Sequence, residues 1–252
     1  MHTRDSVIET LKPFLIEHPQ VLVAWEGGSA ANDAIDAYSD LDVMIVAEEG
    51  DTDTLFAEIE TCLREHFGIR EAMRLPEPAW HGFAQTFYAL RDTEPWFYVD
   101  LCILPPKPED PFTASDRHGN VVIWKDTLGF IDHRPTPREI VEKRARTFYV
   151  RATQDTFVLR AEVDKALRRN RYLDAYHFMY AFIMRCLIPL MNIEHRIEKV
   201  DFGMRYAERD YAAEDSDLLL RFFAVSNLEA LKNLAEEIFS RYEHLKKAQP
   251  FK

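Results

Sequence analysis

Residues 21–48 read VLVAWEGGSAANDAIDAYSDLDVMIVAE, and the glycines within them separate two strands. Apolar Val21 to Trp25 predicts a strand, Gly27-Gly28-Ser29 a tight turn, and Ser39 to Ala47 a second strand. Side chains alternate along a strand at about 3.3 Å per residue, so Asp40 and Asp42 are expected on one face, roughly 6.6 Å apart at Cα, with oxygens able to converge on one cation. Leu41 then points the other way, into the core.

A third carboxylate, Asp100, stands in the apolar run WFYVDLCIL at 96–104. An ionised group there costs several kcal/mol to bury unless it is paired or bound to metal. Three strand carboxylates therefore predict a divalent-ion site. Hard oxygen ligands favour Mg²⁺, which keeps waters and completes its shell with substrate phosphates.

Gly28-Ser29, ten intervening residues, Asp40-Leu41-Asp42 and a lone Asp100 on a later strand together resemble the nucleotidyltransferase superfamily that includes DNA polymerase beta. Within it the chain is most similar to the small-molecule enzymes typified by the aminoglycoside adenylyltransferases. The motifs carry the resemblance over residues 20–105, and a helical domain continues it in outline. It implies an α+β fold, an N-terminal mixed β-sheet with flanking helices (residues 1–134) followed by a C-terminal helical bundle (135–252).

By position, the resemblance implies that Gly28, Ser29 and Ser39 hold nucleotide phosphates and that Asp40 and Asp42 hold metal. Asp100 completes the metal site or serves as base, with two Mg²⁺ ions and ATP or another nucleoside triphosphate as co-substrate. The implied reaction moves a nucleoside monophosphate, AMP from ATP, to a hydroxyl of a small molecule such as an aminoglycoside-like antibiotic, and releases pyrophosphate. Two other readings stand beside it: the same transfer to a protein acceptor, and a non-catalytic nucleotide-binding module, in which loss of a carboxylate would be expected. None is lost. Ala30-Ala31 stand where some relatives carry a basic residue, so the triphosphate's cation must come from elsewhere, with Arg144, Arg146 and Arg151 as candidates.

The net charge is −12, with 25 acids against 10 Lys/Arg in residues 1–135 and 18 against 21 in residues 136–252. Nucleic-acid backbones are held by clustered Lys/Arg, so a nucleic-acid partner is not expected. The acidic balance would attract a cation, which fits a polyamine-like acceptor, although it is also common in soluble proteins. No stretch approaches the roughly 20 apolar residues that cross a bilayer, and the N-terminus lacks the apolar core of a signal peptide. The expectation is a cytoplasmic protein with no membrane partner. Cys62, Cys102 and Cys186 are odd in number and set in apolar patterns, so they read as buried free thiols.

Periodicity predicts helices at 5–18 and from Thr52 to Gly68, an antiparallel pair at Ala84–Leu90 and Trp96–Leu104, and a short strand at Asn120–Lys125. Beyond Pro135 the expected helices are 137–168, 171–192, 200–213, 216–225 and 227–247. Capping boxes are expected at Thr136 with Glu139 and at Ser226 with Glu229. Segment 171–192, RYLDAYHFMYAFIMRCLIPLMN, is apolar almost all round, which predicts the buried centre of the bundle. Arg171, Asp174, His177 and Arg185 fall within about 120° of one another at 100° per residue. That seam reads either as an internal salt-bridge network or as a substrate-facing wall in which Asp174 and His177 meet a cationic acceptor.

Overall fold

The alternation at residues 21–47 becomes two neighbouring strands of a six-stranded mixed sheet in the computed structural model, which describes residues 1–48, 52–77, 79, 81–108, 112–154 and 156–248. Helix α1 (Arg4–Glu17) opens on a capping box between Thr3 and Ser6 and buries Val7, Leu11 and Leu15 at four-residue steps. There follow β1 (Val21–Glu26), the single turn α2 (Gly28–Ala31), β2 (Leu41–Ala47), α3 (Thr52–Phe67), β3 (Ile69–Arg74), β4 (Ala84–Leu90) and β5 (Val99–Leu104). The short α4 (Ser115–His118) and β6 (Val122–Asp126) complete the unit. Strand order is β3-β4-β5-β2-β1-β6. Only the central pair, β2 with β5, is parallel; the other pairings are antiparallel.

The two faces of the sheet are both apolar but differ in role. Leu41, Val43 and Ile45 of β2 and Val99, Leu101 and Ile103 of β5 join the α1 and α3 side chains in one core. The alternate residues Val46, Cys102 and Leu104 enter a smaller cluster with Trp25, Phe83 and Ile131. Asp42 and Asp100 share the parity of this second set, at the N-terminal ends of the two parallel strands.

The strands of this unit differ in places from the pattern reading. The strand expected from Trp96 begins at Val99, because Pro95 sets a turn in which the Phe97 N–H bonds Glu94 O at 3.1 Å and leaves the ladder until two residues later. Strand β3, IREAMR, lies at the sheet edge with four consecutive exposed residues, so its sequence carries no apolar alternation to announce it.

A second compact unit begins at Thr136. It holds α5 (Arg138–Thr153), α6 (Thr156–Arg168), α7 (Tyr172–Phe182), a π-turn at Ile183–Leu187, α8 (Ile188–His195), a 3-10 turn at Ile197–Lys199, α9 (Ala207–Asp210), α10 (Ala213–Phe223) and α11 (Leu228–Ala248). The expected capping boxes are not the caps observed. Helix α5 starts after Pro137 without a side-chain cap bond, and α11 is capped by Asn227, whose Oδ1 accepts from Ala230 N at 2.9 Å. The π-turn precedes Pro189, which lacks the N–H for an i−4 bond to Arg185, so the backbone widens by one residue to pass it.

The helix expected over 200–213 is reduced to α9 because Arg196 takes up its backbone. The Arg196 guanidinium is buried and donates to Gly203 O at 2.7 Å, Arg205 O at 2.5 Å, Asn192 Oδ1 at 2.7 Å and Asp210 Oδ2 at 2.9 Å. Asn192 adds bonds to Val200 O and Gly203 O, and Tyr211 Oη donates to Asn192 Oδ1 at 2.6 Å. Removing one partner of a buried ionic network costs about 3–5 kcal/mol. Arg196→Met is therefore expected to lower the thermal midpoint by on the order of 10 °C; a melting curve unchanged within a degree or two would refute this account of the loop. No helix among the described residues is long and apolar enough to cross a membrane.

Candidate active site

Asp42 and Asp100 are exact register partners on the parallel strands β2 and β5. Neighbouring strands lie about 4.8 Å apart, so the two side chains emerge from the same face side by side. Asp40 does not lie in the strand as expected; it is the residue before β2. It is nonetheless held in place. Arg4 Nε donates to Asp40 O at 3.2 Å, Leu41 N donates to Tyr98 O at 3.1 Å, and the Tyr98 phenol is hydrogen-bonded to the Asp40 side chain.

That bond, burial and the charges of Asp40, Asp42 and Asp100 raise the Tyr98 phenol above its ordinary value, so all three carboxylates act on it electrostatically. Burial, and then the charge of Asp40, push the Asp100 carboxyl up to about 6 against the lowering effect of its hydrogen bond from Gln85. A cluster in which like charge and desolvation oppose ionisation is one that a hard cation would relieve.

The glycine turn is shaped by the same carboxylate. Gly27 N donates to Asp42 O at 3.0 Å, and Gly28 adopts a left-handed φ of 54°. A Cβ at Gly28 would lie 1.7 Å from Asp42 Oδ2, so only glycine lets the turn close over the acid. Asn32 Nδ2 braces the turn through Gly28 O at 2.8 Å, and Asn120 N bonds Ala31 O at 2.7 Å. Ser29 is half-buried beside Gly28. Ser39 is engaged in its own loop, where its hydroxyl donates to Asp36 Oδ1 at 3.0 Å and accepts from Asp36 N at 2.9 Å. The loop is pinned further by Trp96, whose indole N–H donates to Ala37 O at 3.2 Å while its ring meets Tyr38 with centroids 5.5 Å apart.

Sequence reasoning missed Arg4, Tyr98, Gln85 and His81. Tyr98 had a signal, since it stands two residues before Asp100. Arg4 had none: its guanidinium reaches the buried Glu26 at the end of β1, with which it forms an ion pair, and no local pattern relates the two. Burial lowers the arginine's pKa against the opposing charges of Asp5, Asp42 and Asp40.

In the second unit, the expected polar seam is on the surface. Asp174 and His177 are exposed, and Arg171 meets Asp174 at 3.6 Å with both side chains more than half accessible. The buried network expected there is supplied by Arg196 and Asn192 instead. Leu173 is 79% exposed and Tyr180 42%, so the first half of segment 171–192 lies at the surface, whereas its second half, with Phe182, Leu187, Ile188 and Met191 fully buried or nearly so, is the expected core of the unit. Glu194, His195 and Asp215 place ligand-type atoms within 4.8 Å of one another. Arg241 already occupies that cluster, donating to Asp215 Oδ1 at 2.7 Å and Oδ2 at 2.6 Å and pairing with Glu194, so its negative charge is answered without an ion.

A family model described as streptomycin adenylyltransferase matches residues 1–245, and the chain belongs to that family of nucleotidyltransferases. No curated protein matches it. Among solved structures, the structure of the GLD-2/RNP-8 complex aligns with 95% of this chain and 74% of its own at 12% identity and a TM-score of 0.31, too slight a likeness to carry an argument.

Proposed function

We propose that the protein transfers AMP from ATP to a hydroxyl of a cationic, aminoglycoside-like small molecule and releases pyrophosphate. The observation that carries the reading is the lateral pairing of Asp42 with Asp100, with Asp40 beside them and Gly28 closed over Asp42. Family membership supports the same chemistry. Asp40, Asp42 and Asp100 are the residues that would hold Mg²⁺. An ion held there would supply neutralisation of the phosphate charge that an in-line displacement develops.

The chain's own groups divide the remaining work. Backbone N–H groups of the Gly28-Ser29 turn orient the outer phosphates, and Ser39 would join them on exchanging its bonds to Asp36. The acceptor oxygen forms its bond to the α-phosphorus as the α–β anhydride bond breaks, and the hydroxyl proton passes to Asp100. An ion held there would lower the proton affinity of Asp100, so base action would rely on a hydroxyl already acidified by that ion. Asp174 and His177, exposed on α7, are assigned to the acceptor.

The test is a pyrophosphate-release assay with streptomycin, Mg²⁺ and each of four nucleoside triphosphates. We expect one pyrophosphate per adenylylated streptomycin, with ATP preferred, and in Asp174→Asn a raised streptomycin KM with melting unchanged. No release with any member of an aminoglycoside panel, from protein that is folded and binds ATP, would overturn the small-molecule reading.

A further inference from the structure

Asp100 is held by a directed chain of hydrogen bonds that begins in the loop before β4. Phe83 N donates to His81 Nδ1 at 3.1 Å, so that ring nitrogen is an acceptor and carries no proton. Nε2 is then the ring nitrogen that donates, and it is 2.8 Å from Gln85 Oε1. With its Oε1 accepting, Gln85 turns its Nε2 toward Asp100 and donates to Oδ1 at 2.6 Å. Each step leaves one orientation for the next.

The surroundings keep the chain in place. The His81 ring packs against Phe83 and Phe112 with centroids 5.2 and 6.0 Å away. Gln85 lies in β4, where its register partner is Cys102, and the next residue on the same face, Phe87, is the partner of Asp100. The amide thus reaches along the strand to the carboxylate from a rigid element. One oxygen of Asp100 is thereby fixed by a neutral donor.

We propose that Gln85, oriented by His81, is the positioning residue that sets Asp100 for ion binding and chemistry. The proposal rests on the nucleotidyl-transfer reading above. Partners that orient a metal-binding group typically contribute 10–100-fold to affinity or activity. If Gln85 acts by donation, a side chain of similar size that cannot donate defeats it, and a carboxylate in its place repels Asp100 as well.

Gln85→Leu, Gln85→Glu and His81→Phe separate this from a packing role. Mn²⁺ binding in the presence of ATP, followed by electron paramagnetic resonance, is expected to weaken about tenfold or more in Gln85→Leu. Turnover should fall at least as far with KM for ATP kept within about threefold, and Gln85→Glu should be no better than Gln85→Leu although it is the closer isostere. His81→Phe, which keeps the ring packing, should show a smaller loss of the same kind. Mn²⁺ affinity within twofold of wild type in Gln85→Leu, or a Gln85→Glu variant that restores turnover, overturns the proposal. Should Gln85→Leu not fold, His81→Phe decides alone by the same Mn²⁺ measurement. Failure of the underlying reading looks different, because then Asp42→Asn itself would retain pyrophosphate release.

Discussion

Asp42→Asn is expected to lose pyrophosphate release by on the order of 10³-fold or more while remaining folded, because the charge removed is the one the transition state needs. Asparagine keeps the size of the side chain, so Gly28 can still close over it, and loss of one of three clustered negative charges relieves repulsion. Gly28→Ala should reach a similar loss by geometry alone. Its new Cβ would fall 1.7 Å from Asp42 Oδ2 at a φ of 54°, which an L side chain adopts only at a cost of roughly 1–2 kcal/mol. The carboxylate must move or the turn must open, and either displaces the acid from the phosphates. Calorimetric titration of Mg-ATP reads the difference: binding is expected to be lost in both variants, with circular dichroism unchanged. A folded Asp42→Asn protein with near wild-type turnover would sink the mechanism.

Which parts of the site were legible follows from which constraints are local. Alternation around Leu41 and Leu101 assigns Asp42 and Asp100 to the face opposite the α1 and α3 core, and a buried face leaves no freedom to slip by one residue. That β2 and β5 are neighbours, parallel and in register at the two acids is a long-range fact, carried by pairing between residues about sixty positions apart. The partners of the acids are of the same kind. Arg4 comes from the first helix and Gln85 from a strand whose register with β5 nothing in its own sequence announces. His81 beside Gly82 reads as a turn residue until the strand it precedes is placed against Asp100. In the helical unit the apolar pattern overstates burial at one end of its segment. The apolar pattern of 171–192 holds for its buried second half, but much of any folded surface is apolar, and Leu173 and Tyr180 of α7 belong to that surface. The polar residues that do organise this unit, Asn192 and Arg196, stand four apart where the helix ends, and only their buried acceptors distinguish them from ordinary surface groups.

Asp100→Asn is expected to stop turnover and, in metal-free buffer, to make the protein more stable. Turnover should fall by on the order of 10³-fold, with ATP affinity kept within a few-fold because Asp100 serves the acceptor side. The stability effect has the opposite sign and a defined pH window. An aspartate in an unfolded chain titrates near 3.9, whereas burial holds the folded Asp100 carboxyl up at about 6. At or below about pH 4 both states tend to hold the proton, and the group scarcely distinguishes them. As pH rises from about 4 to 6 the unfolded chain releases its proton while the folded protein keeps it, so each increment favours unfolding; above about 6 the loss is complete. The gap corresponds to about 3 kcal/mol, and partial exposure of the carboxyl reduces it to about 2. Asparagine carries no such liability and can still accept the Gln85 hydrogen bond through its own Oδ1. Urea unfolding of both proteins with a chelator present should therefore give equal stabilities near pH 4 and an advantage of about 2 kcal/mol to the variant at pH 8. A variant no more stable at pH 8 than at pH 4, relative to wild type, would mean that Asp100 is already compensated within the protein. It would then have no need of a cation, and the assignment of metal to this strand pair would fall with it.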